Sequence, residues 1–476
     1  MIARCLKLLG FGLALAGCAP VVLPDAALEV PAAYRATPTS AATAWPAPDW
    51  WRGFGSAELD GLIANARGAN FDLDAAMARV RQADAQAAIA GAPLLPSVTA
   101  QGRDSWNRNS LTRRVGTAGS RPTGVYYETR SYSLAPTVTW ELDFWGRVSS
   151  GRAAARATAL ASRFDQQSVA LTVVSAVAST WFQALALQDR LAVLARNLAD
   201  AEQILAAIQA RETVGTASQL DIAQQAALVA GLRAQQPNLR NQMEQQINGL
   251  GILTGRPPSA ITVRPGTLTN LALPEIGADV PSSLLSRRPD IASAEAQLAA
   301  QGANIKVARA AFFPQISLSG TAGWQNLALP ILFGPGSLFA SAAASLTQTI
   351  FDNGQRQASL DLARARYDEL LADYRKTVVQ GFTDVENAIT AYRYTTQQED
   401  LERVAVATAQ RAADIARAQL LAGTVDIVTA LQAQTTLFSD LDLLAQVRLA
   451  RFQALLSLYK ALGGGWSKGD ILQEVP

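Results

Sequence analysis

The chain contains no histidine, which removes the commonest general base and the commonest metal ligand. Its two cysteines, Cys5 and Cys18, both lie near the N-terminus, so the body of the protein has neither thiol nor disulfide. No Gly-x-Ser-x-Gly elbow and no metal-spaced cluster occurs, so no enzyme, metal or cofactor chemistry is expected. An excess of one charge is missing too. Lys plus Arg (41) nearly balances Asp plus Glu (39), and no basic block stands apart, which argues against nucleic acid.

Helix breakers are missing from two long stretches. Arg152 to Val214 has no Gly or Pro, and Gln355 to Leu421 has one glycine, Gly381. In the second, apolar residues recur in steps of three and four at Leu360, Ala363, Tyr367, Leu371, Tyr374, Val378, Phe382, Val385, Ile389 and Tyr392. That is the period of one helical face. At 1.5 Å per residue each helix would run on the order of 100 Å. Helices of that length require partners of similar length.

Arg4 and Lys7 precede an apolar run, Leu8 to Leu15, too short to span a bilayer and suited to a signal peptide. The run ends in Leu15-Ala16-Gly17-Cys18, which resembles the bacterial lipobox. Residues 1–17 then form a lipoprotein signal peptide, Cys18 is the lipidated residue, and 18–49 is a Pro-, Ala- and Thr-rich linker. The alternative is a plain signal peptide with a chance cysteine. By similarity to bacterial lipoproteins, Ala19 in place of aspartate favours the outer membrane.

The folded part splits into two copies of one pattern. The first, 50–286, has short helices, strands over about 97–105 and 131–143, a long helix hairpin over 147–253 and a proline-rich segment over 254–286. The second, 287–476, has a helix, strands over about 315–324 and 338–350, a hairpin over 355–462 and a tail. Gly146 matches Gly354, Gly215-Thr216 matches Gly423-Thr424, and Gly255 matches Gly463, all at an offset of 208. Before the strands Pro96 matches Pro314 at an offset of 218, and the difference falls in the hairpin loops. Pro136 inside the second strand predicts a bulge or an unpaired position. Pro237 predicts a kink in the first return helix.

Each strand alternates an apolar with a polar side, and its length suits a tilted transmembrane strand. Four strands cannot close; about eight is the practical minimum. An open edge cannot survive in lipid. Several copies must therefore share one barrel, and of these about twelve strands leave a lumen. The fold class is mainly α with a membrane β-barrel, internally duplicated and closing as a trimer. A soluble hairpin pair and a solid coiled-coil stalk are the alternatives.

Five stretches, in order, resemble the outer-membrane efflux proteins of the TolC-like outer-membrane factor family, in the lipoprotein branch resembling OprM and NodT. They are Trp50-Trp51-Arg52, with Leu59 and Leu62; Trp140 to Arg147; Leu284 to Ile291; Ile350 to Gly354; and Tyr459 to Trp466. The resemblance implies a homotrimeric exit duct of a tripartite efflux pump, spanning the outer-membrane lipid and reaching into the periplasm. It implies docking to a periplasmic adaptor (membrane-fusion) protein and an inner-membrane transporter of the RND type. It also implies a gate at the helix tips, with Val428 and Gln432 at the ring positions; relatives carry an acid where Gln432 stands. Asp426 is a candidate ring of carboxylates and Arg417 its candidate partner. The expected docking tips are Gly215, Thr216, Ala217, Ser218, Leu220, Gly423, Thr424 and Val425. A duct for type I protein secretion and a non-conducting structural or adhesive stalk remain open alternatives.

Overall fold

In the computed structural model the described residues are 45–111, 125–274, 281–466, 468 and 469, with a few single positions between 24 and 35. The expected signal peptide, Cys18 and most of the linker lie outside them. The first helix, α1 (Ala57–Ala69), starts where the Ser56 hydroxyl accepts the Leu59 N–H, and stops at Asn70. The Asn70 side chain then accepts the N–H groups of Asp72 and Leu73 and so opens α2 (Phe71–Gly91). Strands β1 (Ser97–Leu111) and β2 (Val125–Leu142) follow. The long helix α3 (Arg147–Thr213) leads to its return helix α4 (Gln219–Leu253), which runs through Pro237 without ending. The second half supplies α5 (Pro289–Ala310), β3 (Gln315–Asn326), β4 (Leu338–Thr347), α6 (Gln355–Ala422) and α7 (Ile427–Ala461).

The duplication extends to the hydrogen bonds. The Asn70 amide donates to the Leu253 carbonyl at 2.8 Å, and the Arg288 guanidinium donates to the Ala461 carbonyl at 3.3 Å. These donors satisfy carbonyls that the ends of α4 and α7 leave without helical partners. Beside them, Gly255 (φ 65°) and Gly463 (φ 86°) lie so close to the Ala69 and Arg287 carbonyls that a Cβ on either would collide. Arg288 is buried yet charged. Burial opposes its charge, but the hydrogen bonds it donates to the Asp290 and Asp384 carboxylates outweigh that and raise its pKa.

The four strands form one antiparallel sheet in the order β1-β2-β3-β4. Two strands differ from their expected bounds, and Pro136 takes the second of its two expected forms, an unpaired position. The β1–β2 ladder continues through Leu111 and Val125, because Asp104–Arg130 and Arg108–Glu128 pairs carry it beyond the apolar alternation. β4 stops at Thr347, short of Ile350, which is 91% exposed. At Pro136 there is no bulge: Leu134↔Trp324 and Thr137↔Thr321 leave two residues on each strand between them. Proline has no N–H to give the β3 ladder, so that pairing lapses while the register is kept.

The chain divides into two compact units, and these are not the two repeats. One comprises Gln82–Ala159 and Ala296–Leu371 and holds the sheet. The other comprises Ala26–Arg81, Leu160–Glu295 and Ala372–Pro476. Its core stacks Trp50 on Tyr459 (4.4 Å) and packs Phe54, Phe182 and Phe452 around them. Burial pushes the Tyr459 hydroxyl up to about 12. The 18-residue window of α3 apolar enough to cross a membrane is 56% buried within the chain, as a core helix would be.

One carboxylate in this unit is enclosed. Glu399 is 1% exposed and pairs with Arg448 and Arg451 at 3.0 Å and Arg403 at 2.7 Å. Burial raises its pKa, but hydrogen bonds from Arg451 and Arg448 and the charges of Arg403 and Arg448 outweigh it and hold it low.

Two tests follow from these contacts. Gly463→Ala is expected to lower stability by roughly 1–3 kcal/mol or more, from the left-handed backbone and the Arg287 collision. An unchanged melting midpoint by circular dichroism would refute that close approach. Glu399 contributes stability above its ordinary value of 4.5, and this is lost as pH falls through its lowered folded-state value. Glu399→Ala should therefore cost about 3–5 kcal/mol at neutral pH and flatten the acid dependence of the midpoint. Parallel acid profiles for the two proteins would contradict this.

Candidate functional site

Strand alternation sorts the sheet into two faces. Even-numbered residues place Val98, Leu134, Val138, Leu318, Trp324, Leu338 and Leu346 on one side, all exposed in the single chain; Val98 is 68% and Leu346 66% exposed. Odd-numbered residues on the other side are largely hydroxylic. Their side chains bond across the ladders, Ser97 to Thr139 (2.8 Å), Ser105 to Ser131 (2.7 Å), Thr137 to Thr321 (3.1 Å) and Ser317 to Ser345 (2.7 Å). β1 and β4 are edge strands of an open sheet. This wall is water-compatible on one side only, and its edges leave backbone groups unpaired.

The ends of the helix hairpins belong to the other unit. Gly215 and Gly423 both have φ 75° and close α3 and α6 in the same way. The Thr216 N–H reaches the Arg211 carbonyl (2.9 Å), and the Thr424 N–H the Gln419 carbonyl (3.0 Å). Both are left-handed glycine caps of the Schellman type. The return helices open on matched caps. The Ser218 hydroxyl accepts the Asp221 N–H in a capping box, and the Asp426 carboxylate accepts the Thr429 N–H at 2.8 Å. The Thr429 N–H holds the Asp426 carboxyl below its ordinary range. Beneath the turns Ile204, Ile208, Leu420 and Ile427 form a buried cluster joining the two hairpins.

The outer membrane efflux protein model matches residues 62–256 and 280–464, both repeats. The chain belongs to the outer membrane efflux protein family. It is similar to the pyoverdine export outer membrane protein OpmQ of Pseudomonas aeruginosa, 39% identical over 467 residues, 97% of each chain. It is also similar to the toluene efflux pump outer membrane protein TtgC of Pseudomonas putida, 32% identical over 461 residues, 95% of this chain and 93% of that one. Among solved structures, the open state of the MtrE outer membrane channel of Neisseria gonorrhoeae superposes with a TM-score of 0.83 at 26% identity, over 94% of this chain and 98% of that one. This chain is accordingly an outer-membrane channel, the exit duct of an efflux pump.

Within this efflux protein the residues expected at the gate separate into two kinds. Val428 and Gln432 lie one turn apart on α7 and are exposed, Val428 at 54%. Asp426 and Arg417 do not form the expected pair. Asp426 is committed to capping α7, and Arg417 turns to α3, donating to Gln203 at 2.8 Å with Asp200 at 3.6 Å. Of the tip residues, Gly215, Thr216, Ser218, Leu220, Gly423 and Thr424 are exposed, whereas Ala217 and Val425 are half-buried.

Arg211 was missed by sequence reasoning. Its guanidinium donates to the Leu420 carbonyl at 2.6 Å and the Thr216 carbonyl at 3.4 Å, tying the end of α3 to the end of α6. A cation at a helix C-terminus is favoured by the helix dipole. The signal available was a lone arginine four residues before a cap glycine, with Gln419 at the matching place in the second repeat.

The cap geometry separates two roles for Asp426. Asp426→Asn keeps the capping oxygen and removes the charge, so single-channel conductance in planar bilayers is expected to stay unchanged. Arg211→Ala, which unties the hairpin ends, is expected to raise conductance. A change with Asp426→Asn and none with Arg211→Ala would reverse the assignment.

Proposed function

We propose that three copies of the chain close their sheets into one twelve-stranded barrel in the outer membrane, a passive conduit from periplasm to outside. The observation that carries this reading is the open sheet with one exposed apolar face and two bare edges. In antiparallel order β1 runs opposite to β4, so a second copy can lay its β4 beside β1 and continue the ladder. Repetition around three copies pairs every edge, as lipid requires. The polar face then lines the bore, which needs no catalytic group. Exported compounds of small size are supported by the relatives' names, pyoverdine export for one and toluene efflux for another. Relatives of one fold thus serve very different cargo, which leaves the main choice among compounds to the transporter.

The gate lies at the hairpin tips, with Val428 and Gln432 from each copy turned toward the axis. It is held by the Arg211 and Arg417 links between α3 and α6. Arg417–Asp200 is an exposed contact of small worth, suited to being broken by a partner. That partner is a periplasmic adaptor protein docking on the tips, where Leu220 is 65% and Val214 72% exposed. An inner-membrane transporter of the RND type feeds the assembly. Cys18 carries the lipid that anchors the N-terminus.

Purified protein reconstituted in planar bilayers tests the reading. The expected result is a trimer in detergent and discrete conductance steps. In cells Leu220→Asp and Val214→Asp should abolish export while trimer and conductance persist. A monomer without conductance would refute the duct, and full export by the tip variants would refute the docking surface.

A further inference from the structure

We propose that Arg103 makes the barrel prefer anions, so that the solutes this duct passes most readily are negatively charged small molecules. The inference rests on the duct reading and adds to it the charge class of the cargo. On the polar face of the sheet, the described strands carry two formal charges, Arg103 on β1 and Glu141 on β2. Glu141 is neutralised: the Arg147 guanidinium grips both of its carboxylate oxygens, at 3.0 and 2.7 Å. Arg103 stands opposite Ser133, is exposed, and among the described residues meets no acid on that face.

The surroundings offer no compensation. Asp104 lies on the opposite face, where Arg130 holds it at 2.6 Å. Residues 315–347, covering β3 and β4, contain no Asp, Glu, Lys or Arg. The strand a second copy would lay beside β1 is β4, so the seam brings only Phe, Ser, Ala and Thr to that face. Residues 112–124 between β1 and β2 also contain no Asp or Glu. Closure of three copies thus gathers three uncompensated guanidinium groups into one ring. A guanidinium keeps its charge across the working pH range. A ring of one sign inside a water-filled bore concentrates ions of the other sign and excludes its own.

The experiment is the reversal potential of bilayer-reconstituted full-length trimers in a tenfold KCl gradient centred near 0.1 M. The variants are wild type, Arg103→Lys, Arg103→Gln and Arg103→Glu, each checked for trimer on a gel. Wild type and Arg103→Lys are expected to share a chloride-over-potassium ratio about twofold above that of Arg103→Gln. That size follows from three charges acting across roughly one Debye length of electrolyte. Arg103→Glu should fall lower again. Conducting channels whose ratio is the same in all four proteins would overturn the assignment and leave the duct reading standing. Wild-type protein that never conducts would overturn both.

Discussion

Backbone groups that lack partners cannot remain in hydrocarbon, and the sheet in this chain has two rows of them. Everything distinctive about the membrane part answers that constraint. One face is apolar from Val98 to Leu346 as far as the Asp104–Arg130 and Arg108–Glu128 pairs at the β1–β2 end, and the other bonds hydroxyl to hydroxyl across each ladder. Pro136 costs a single backbone bond without shifting the register. A slip of one residue would exchange the two faces and put serine and threonine against lipid. Constancy of register is therefore a condition of the wall.

The helical part meets the same accounting by other means. Its loose ends are closed by Gly215 and Gly423, by Ser218 and Asp426, and by Asn70 and Arg288. The last two pairs differ between the repeats. A neutral cap stands in one copy and a charged one in the other, at the same structural position. In Arg288 the charge is kept by two carboxylates, which makes that junction a network where its counterpart is a single amide. The duplication preserved the geometry of each contact and let its chemistry diverge.

Much of this was legible beforehand. Proline-free length marked α3 and α6, glycine pairs at a constant offset marked the duplication, and alternation marked the strands. The comparisons with known channels agree with the fold class and with the exit-duct function. What escaped the sequence depends on proximity between distant segments. The β1–β2 hairpin runs further because acid–arginine pairs stand where its apolar alternation ends. Asp426 looked free to pair with Arg417, because a capping bond to Thr429 is local geometry and Gln203 lies two hundred residues away in the chain. Nothing in the sequence marks Glu399 for burial, since Arg448 and Arg451 reach it from α7.

The mismatch between repeats and compact units bears on how the protein comes into being. Each unit takes segments from both halves of the polypeptide. When translation has delivered only the first half, Phe182 and Trp50 have not yet met Phe452 and Tyr459, and β2 has no β3. The first half can already pack α3 on α4 through Leu194, Val229 and Leu232, while the rest of its apolar surface lacks its complement. Completion of the aromatic core thus waits for the second half, since Trp50, Phe54 and Phe182 come from one half and Phe452 and Tyr459 from the other.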